Sequence, residues 1–311
     1  MNVLTIVDEF LLAYRAADTR AIACWKYIAD QALPPKERDP LRLYLSDLGK
    51  CPRQVAYRML ETEKDGRSPQ SESNDRFMFH MADQVECTVA AAVLYAEKLE
   101  AFQNGVAIDR ENWGGRTDIE TAEEVIEVKS VRSNSFNYDN ALLPGVTLEY
   151  GLEPYVKPNG ELVKPKSAIK DAHAYQAGAY GKYGSHPKDP IVVVYDRGGS
   201  NTPQQYRIGP EIHATIDDQM NRLELVRGYL PTLPNPLPKV LKKRSYGKRV
   251  VQEPDWRCSY CDYKGSCSPD LSTSEWASLE RGSWRWKSAA DIDALATFAH
   301  ENLPELSEVL P

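Results

Sequence analysis

Apolar residues recur at helical spacing over residues 3–31, 41–62 and 75–100, and each stretch predicts a helix. "LPPKERDP" breaks the first from the second, and the polar "KDGRSPQSESN", residues 64–74, separates the second from the third. Past residue 100 the period shortens. Residues 103–110, 115–121 and 124–131 read as three short strands, divided by the turn signals "ENWGG" and "TAEE". Residues 132–166 form a long insertion with Pro144, Gly145, Pro154, Pro158, Gly160 and Pro165, either a flap or an extra hairpin. A helix over 167–184, a buried strand over 189–197, a further strand at "QQYRIG" and a helix over 210–229 complete the pattern. The order helix, three strands, helix, strand predicts an α/β chain of the α+β kind, with a mixed sheet flanked by helices.

Composition bounds this picture without redirecting it. The 311 residues suit one large domain or two small ones, and 42% hydrophobic with 27% charged residues is ordinary for a globular chain. No run of about 18 apolar residues is present, so no membrane span is expected. "MNVLTIVDEFLLAYRAADTR" carries Asp8 and Glu9 and lacks a basic leader, so it reads as an amphipathic helix and the expected location is cytoplasmic. A net charge of −7 argues mildly against a nucleic-acid partner. One stretch departs from it: "KVLKKRSYGKR" places Lys239, Lys242, Lys243, Arg244, Lys248 and Arg249 together with no acid. This is either a solvated loop or a DNA-contacting one in which Tyr246 stacks on a base.

The candidate chemistry lies in "WGGRTDIETAEEVIEVKS", residues 113–130. Along the strand 124–131, alternation turns Val125, Glu127 and Lys129 one way and Ile126 and Val128 the other. Asp118, at the end of the preceding strand, comes alongside. Two carboxylates at close range repel unless a cation lies between them, and Mg²⁺ or Mn²⁺ suits oxygen ligands. Such an ion polarises a phosphoryl oxygen and activates water, while Lys129 orients that water or stabilises the charge that develops. The plain alternative is a Glu–Lys pair on the wet face of a strand.

"GGRTD…EVIEVKS" resembles the PD-(D/E)XK nucleases, and more narrowly their RecB-type exonuclease branch. The resemblance implies a restriction-endonuclease-like αβββαβ core over residues 75–230, an N-terminal helical region over 1–74 and a cysteine-bearing segment over 231–311. It implies Asp118, Glu127 and Lys129 as catalytic residues, with the Val128 carbonyl as an extra metal ligand. Gln176 and Tyr180 of "AYQAGAY" match that branch's Gln-xxx-Tyr, whose role is to contact the DNA backbone or support Lys129; a helix packed by small residues is the other reading. On the preceding helix the branch has an acid or a histidine four residues after a glycine. Here Ala82 replaces that glycine and Glu86 holds the ligand position; His80 is the alternative, but six residues turn a helix through about 240°, so both cannot face one ion.

Six cysteines are present, and "CSYCDYKGSC" groups Cys258, Cys261 and Cys267. With no secretory leader expected, metal chemistry is favoured over disulfides. Cys51, in "KCPRQVAY", resembles the first cysteine of the iron–sulfur nucleases, a pattern shared by AddB-type and CRISPR-associated adaptation exonucleases. The resemblance implies a 4Fe–4S cluster on Cys51, Cys258, Cys261 and Cys267, tying together segments 207 positions apart. Zinc is the rival ion, though Cys₄ zinc sites usually show two close pairs. Cys24 and Cys87 suit core positions, with Cys24 an alternative fourth ligand. The expected activity is metal-dependent DNA exonuclease, on single strands or ends, with recombination or CRISPR-adaptation proteins as partners. "WRWK" at 284–287 is a further candidate strand guide. A catalytically silent DNA-binding adaptor and a structure-specific endonuclease are the alternatives; the intact Asp-Glu-Lys set argues against the first.

Overall fold

The computed structural model describes residues 1–32, 39–62, 69–106, 108, 110, 112–133, 136, 142–151, 155–156, 158–160, 162–163, 167–184, 187–199, 201–228, 241–246, 249–254 and 261–263. The chain divides into two compact units, one of Met1–Gly49 with Ser68–Met220 and one of Lys50–Arg67 with Asn221–Pro311. The boundaries read from the sequence, at 74 and 230, follow chain order; the units do not.

The larger unit begins with α1 (Val3–Arg15) and α2 (Thr19–Gln31), where the sequence pattern had predicted one helix. The break is made by Ala17 at φ 58° and by Asp18, whose carboxylate accepts from the Ala21 N–H at 2.8 Å and caps α2. The predicted helix 41–62 also divides. It opens with β1 (Leu43–Tyr44) and a 3-10 turn (Leu45–Asp47), closed by the Asp47 carboxylate on the Tyr44 N–H. Only α3 (Pro52–Met59), in the smaller unit, is helical, with Pro52 at its first position. The next helix, α4 (Pro69–Tyr95), is long as expected.

Strands then follow as β2 (Ala101–Phe102), β3 (Gly105–Val106), β4 (Trp113–Arg116), β5 (Ile119–Glu120) and β6 (Glu124–Val131). The strand predicted at 115–121 is cut in two, and within the one predicted at 103–110 the described residues hold only β3, with β2 formed just before it. Gln103 turns the chain at φ 49°, and the Gln103 N–H donates to the Asp118 carbonyl at 2.8 Å while the Thr117 N–H donates to Asn104 at 3.0 Å. The two segments thus break at one level. β4 pairs with β1 on one side and β3 on the other in a three-stranded sheet, and β2 and β5 join the main one.

After β6 come β7 (Val146–Tyr150), β8 (Tyr155–Val156), β9 (Leu162–Val163), α5 (Asp171–Tyr183), β10 (Asp189–Asp196), β11 (Gln204–Ile208) and α6 (His213–Gly228). The main sheet is mixed and six-stranded, in the order β2-β5-β6-β10-β11-β7. β6 and β10 are parallel; the other neighbours are antiparallel. The insertion therefore supplies a sheet strand, β7, as well as the β8–β9 hairpin. One sheet face presents Ile119, Ile126, Val128, Ile191 and Val193 to a core filled by α1, α2 and α4. Cys87 lies in that core and Cys24 packs against it, so both behave as small hydrophobes.

In the smaller unit Ala56 of α3 and Val226 share a buried cluster. Tyr57 stacks on Tyr263 with centroids 5.5 Å apart. The basic stretch is a hairpin where a loop was expected: β12 (Leu241–Tyr246) pairs antiparallel with β13 (Arg249–Pro254). Lys242, Lys243 and Arg244 lie on β12 and Arg249 starts β13, while Lys239, Lys248 and the "WRWK" tail lie outside the described residues. Among the described residues no helix is long and apolar enough to cross a membrane.

Candidate functional site

β6 is the platform of the site. Its Ile126 and Val128 enter the helix-covered core, which turns Glu127 and Lys129 to the other face, as alternation requires. Glu127 is only 1% exposed, and Lys129 Nζ donates to its Oε1. Its Oε2 is buried and receives no donor, and the Asp118 carboxyl lies within hydrogen-bonding reach of Glu127. Asp118 occupies the break between β4 and β5. The register Ile119↔Ile126 brings it level with Glu127, and its Oδ2 accepts from the Val128 N–H at 2.8 Å. An extended residue points its N–H and C=O to the same edge. The Val128 carbonyl therefore shares the edge of β6 that faces Asp118.

Glu86 reaches this group from α4. Its Oε1 accepts from Gln103 Nε2 at 2.7 Å. Gln103 thus holds both acids, Asp118 through its backbone and Glu86 through its side chain. Nothing in the spacing of the sequence singled it out; its positive φ is the only local mark. His80 is exposed on α4, so Glu86 is the helix residue that the fold brings to Asp118.

Tyr180 has a different place from the one expected. It is buried on α5; its hydroxyl donates to the Arg116 carbonyl at 2.7 Å and accepts from the Arg116 N–H at 3.1 Å. It clamps the peptide two residues before Asp118 and does not lie open to a ligand. Gln176, half-buried, stands one turn before Tyr180 on α5. This clamp explains a glycine. A Cβ on Gly115 would lie 2.6 Å from the Tyr180 ring, so only glycine admits the tyrosine. Tyr180→Phe strands both polar groups of the Arg116 peptide, and the expected loss is about 1–3 kcal/mol in urea unfolding. An unchanged midpoint would show that the peptide needs no clamp.

Charge in the site is unbalanced. Burial and the neighbouring Asp118 push the Glu127 carboxyl up to about 8. Burial and Asp118 push Glu86 to about 7. Burial raises Asp118 despite Lys129 and the Val128 N–H. Burial disfavours the Lys129 ammonium, but Glu127, Asp118 and Glu86 outweigh it and hold the lysine charged. Three acids thus share one ammonium, with the Arg116 guanidinium acting on Glu86 and Asp118 as well. His173 of α5, absent from the sequence reading, is also near: burial, Lys129 and Lys170 keep its imidazole neutral, with Nδ1 facing the Lys170 N–H at 3.4 Å.

The charge still missing is positive, and a metal cation would supply it. The unpartnered Glu127 oxygen, the two raised neighbouring acids and the Val128 carbonyl are all oxygen donors, the set that Mg²⁺ and Mn²⁺ take. Among the described residues no three acids, histidines or cysteines converge closely enough to hold an ion as they stand. One oxygen of each acid is engaged by an N–H or N⁺–H group: Glu127 by Lys129, Asp118 by Val128, Glu86 by Gln103. No family model and no curated protein matches the chain.

Of the cysteines read as a clasp, Cys51 caps the start of α3 and Cys261 precedes Tyr263, both in the smaller unit. Cys258 and Cys267 lie outside the described residues.

Proposed function

We propose that the chain is a divalent-metal-dependent DNA exonuclease of the PD-(D/E)XK kind, on the RecB-type branch. The observation that carries this is the buried, unpartnered Glu127 Oε2 beside Asp118 and Lys129. A carboxylate oxygen stripped of water and of partners costs stability and persists where a cation is meant to meet it. The element order supports the reading: α4, β2, β5, β6, α5 and β10 run as helix, three strands, helix, strand, with β6 parallel to β10.

Glu86, Asp118, Glu127 and the Val128 carbonyl would hold Mg²⁺ or Mn²⁺. The ion supplies polarisation of a phosphoryl oxygen and a lowered pKa for water. Lys129, fixed by Glu127 and kept protonated by three acids, donates to the attacking water or to the oxygen on which charge develops. Gln103 and Tyr180 hold the acids in place and are positioning residues. The hairpin β12–β13 brings a basic stretch suited to a strand's phosphates.

In the smaller unit Cys51, Cys258, Cys261 and Cys267 would hold a 4Fe–4S cluster. The Tyr57–Tyr263 stack supports this, because it joins the segment after Cys51 to the segment after Cys261. Anaerobically purified protein is expected to be brown, with iron and sulfide in equal amounts. Zinc without iron would remove the cluster. The nuclease is tested with labelled linear and circular single-stranded DNA and Mn²⁺. Degradation of the linear strand alone is expected, and cutting of the circle would make the enzyme an endonuclease. Cleavage that survives Lys129→Met would end the assignment of that lysine.

A further inference from the structure

A second charged group stands at the carboxyl ends of β6 and β10. β6 and β10 run parallel, and their register pairs Val131 with Asp196. Arg132 and Arg197 are the next residues of the two strands, and the Arg197 N–H donates to the Val131 carbonyl at 2.9 Å. Lys170 stands at the N-cap of α5, the crossover helix between these strands, whose N-terminus meets their carboxyl ends. Like charge is felt across the group: burial, Arg197 and Arg132 lower the Lys170 ammonium's pKa, and burial and Arg132 lower that of Arg197.

Several other cations of this unit are matched by acids. Lys182 pairs with Asp217, Lys188 with Glu100 and Glu120, and Arg207 with Glu149, Glu124 and Asp189. Among the described residues Arg132, Lys170 and Arg197 have no such partner, and Arg197 Nε is buried with no acceptor. Asp196, the nearest acid in sequence, is committed to the following turn through Ser133, Gly198 and Asn201. A chain with net charge −7 has acids to spare. Three uncompensated cations at the carboxyl ends of parallel strands and the start of a helix form a setting for an anion.

We propose that Arg132, Lys170 and Arg197 form a phosphate-binding subsite that grips a nucleic-acid strand beside the phosphate presented to Glu127 and Lys129. That the phosphate belongs to DNA rests on the nuclease reading; that the subsite takes a phosphate rests on the cation group. His173, in the first turn of α5, is near both Lys129 and Lys170 and so links the two groups. Guanidinium forks suit paired phosphate oxygens, which gives the two arginines geometric as well as charge complementarity.

The test is equilibrium binding of the full chain to fluorescent single-stranded DNA with EDTA, where no cutting occurs. Arg132→Ala and Lys170→Ala alter exposed side chains, so they carry the test even if Arg197→Ala melts early. Each is expected to weaken binding about tenfold and to flatten the log affinity–log salt slope by about 0.7. Lys182→Ala is expected to change neither. Four probes identify the source: 5′-phosphorylated, 3′-phosphorylated and unphosphorylated linear strands, and a circle. A loss confined to one phosphorylated end assigns a terminal phosphate, and an equal loss on the circle assigns an internal one. Unchanged affinity and slope in Arg132→Ala and Lys170→Ala would overturn the subsite, whatever the cleavage assay gives. Wild-type binding that these variants weaken, with no Mn²⁺-dependent cleavage, would instead retain the subsite and remove the nuclease.

Discussion

Glu127→Gln is expected to lower Mn²⁺-dependent DNA cleavage by about a thousandfold or more and, in EDTA at pH 8.5, to raise the melting temperature. The two effects share one cause. Burial and Asp118 lift the Glu127 carboxyl from 4.5 to about 8. A carboxyl raised on folding contributes stability that is complete below 4.5 and is lost as pH climbs through about 8. Above that pH the folded chain must hold a buried carboxylate with one oxygen unpartnered. Glutamine keeps the shape and removes the charge, at a gain on the order of 2–3 kcal/mol once the lost Lys129 pairing is allowed for. Lys129→Met makes the contrast. It should also abolish cleavage, yet it leaves Glu86, Asp118 and Glu127 with no ammonium and should lower the melting temperature at the same pH. If Glu127→Gln destabilises the protein as Lys129→Met does, Glu127 is simply the lysine's ion-pair partner. If it cuts DNA as well as wild type, the acid is no ligand.

The parts of this site that could be read in the sequence are those set by local periodicity. β10 carries the continuous apolar run Ile191–Tyr195 and β6 alternates apolar with charged positions, and both lie within a residue of their expected bounds. The face shared by Glu127 and Lys129 follows from alternation alone. What escaped depends on contacts between distant segments. The break that frees Asp118 from a continuous strand is made by Gln103, 15 residues earlier, through a backbone bond and a positive φ that no pattern announces. Gly115 reads as a turn signal, but its necessity lies in the Tyr180 ring, 65 residues away. Tyr180 was expected, through the resemblance, to contact DNA or support Lys129, with a helix packed by small residues as the other reading; the structure buries it and bonds its hydroxyl to Arg116. Residues 41–62 have helical spacing, but Pro52 and the Asp47 turn confine the helix to eight positions. His173, Lys170 and Arg197 carried no motif, and only the crossover of α5 between β6 and β10 brings them to one end of the sheet.

The wild-type protein in EDTA is expected to lose melting temperature steadily as pH rises from about 5 to about 8.5, and Mn²⁺ is expected to reverse the trend. Glu86 titrates about 7 and Glu127 about 8, and Asp118 is displaced in the same direction. All three are raised and outnumber the lowered imidazoles of His173 and His213, which act in the opposite sense below about 6.5, so in this window the folded state binds more protons than the unfolded one, and removing protons from solution disfavours it. Below pH 5 the site is neutralised by protons, and a metal must displace them to bind. Near pH 8 the protons are leaving, and the same oxygens are open to a cation. Mn²⁺ at a hundred times its dissociation constant adds about 2.7 kcal/mol, which for a unit of this size is roughly 5–10 °C. The increment should shrink at pH 5.5 and vanish in Glu127→Gln. An equal Mn²⁺ increment at both pH values, or a melting temperature that climbs with pH in EDTA, would place the ion elsewhere. The repulsion among the three acids would then be unrelieved by any metal, and Lys129 alone would have to account for their being buried together.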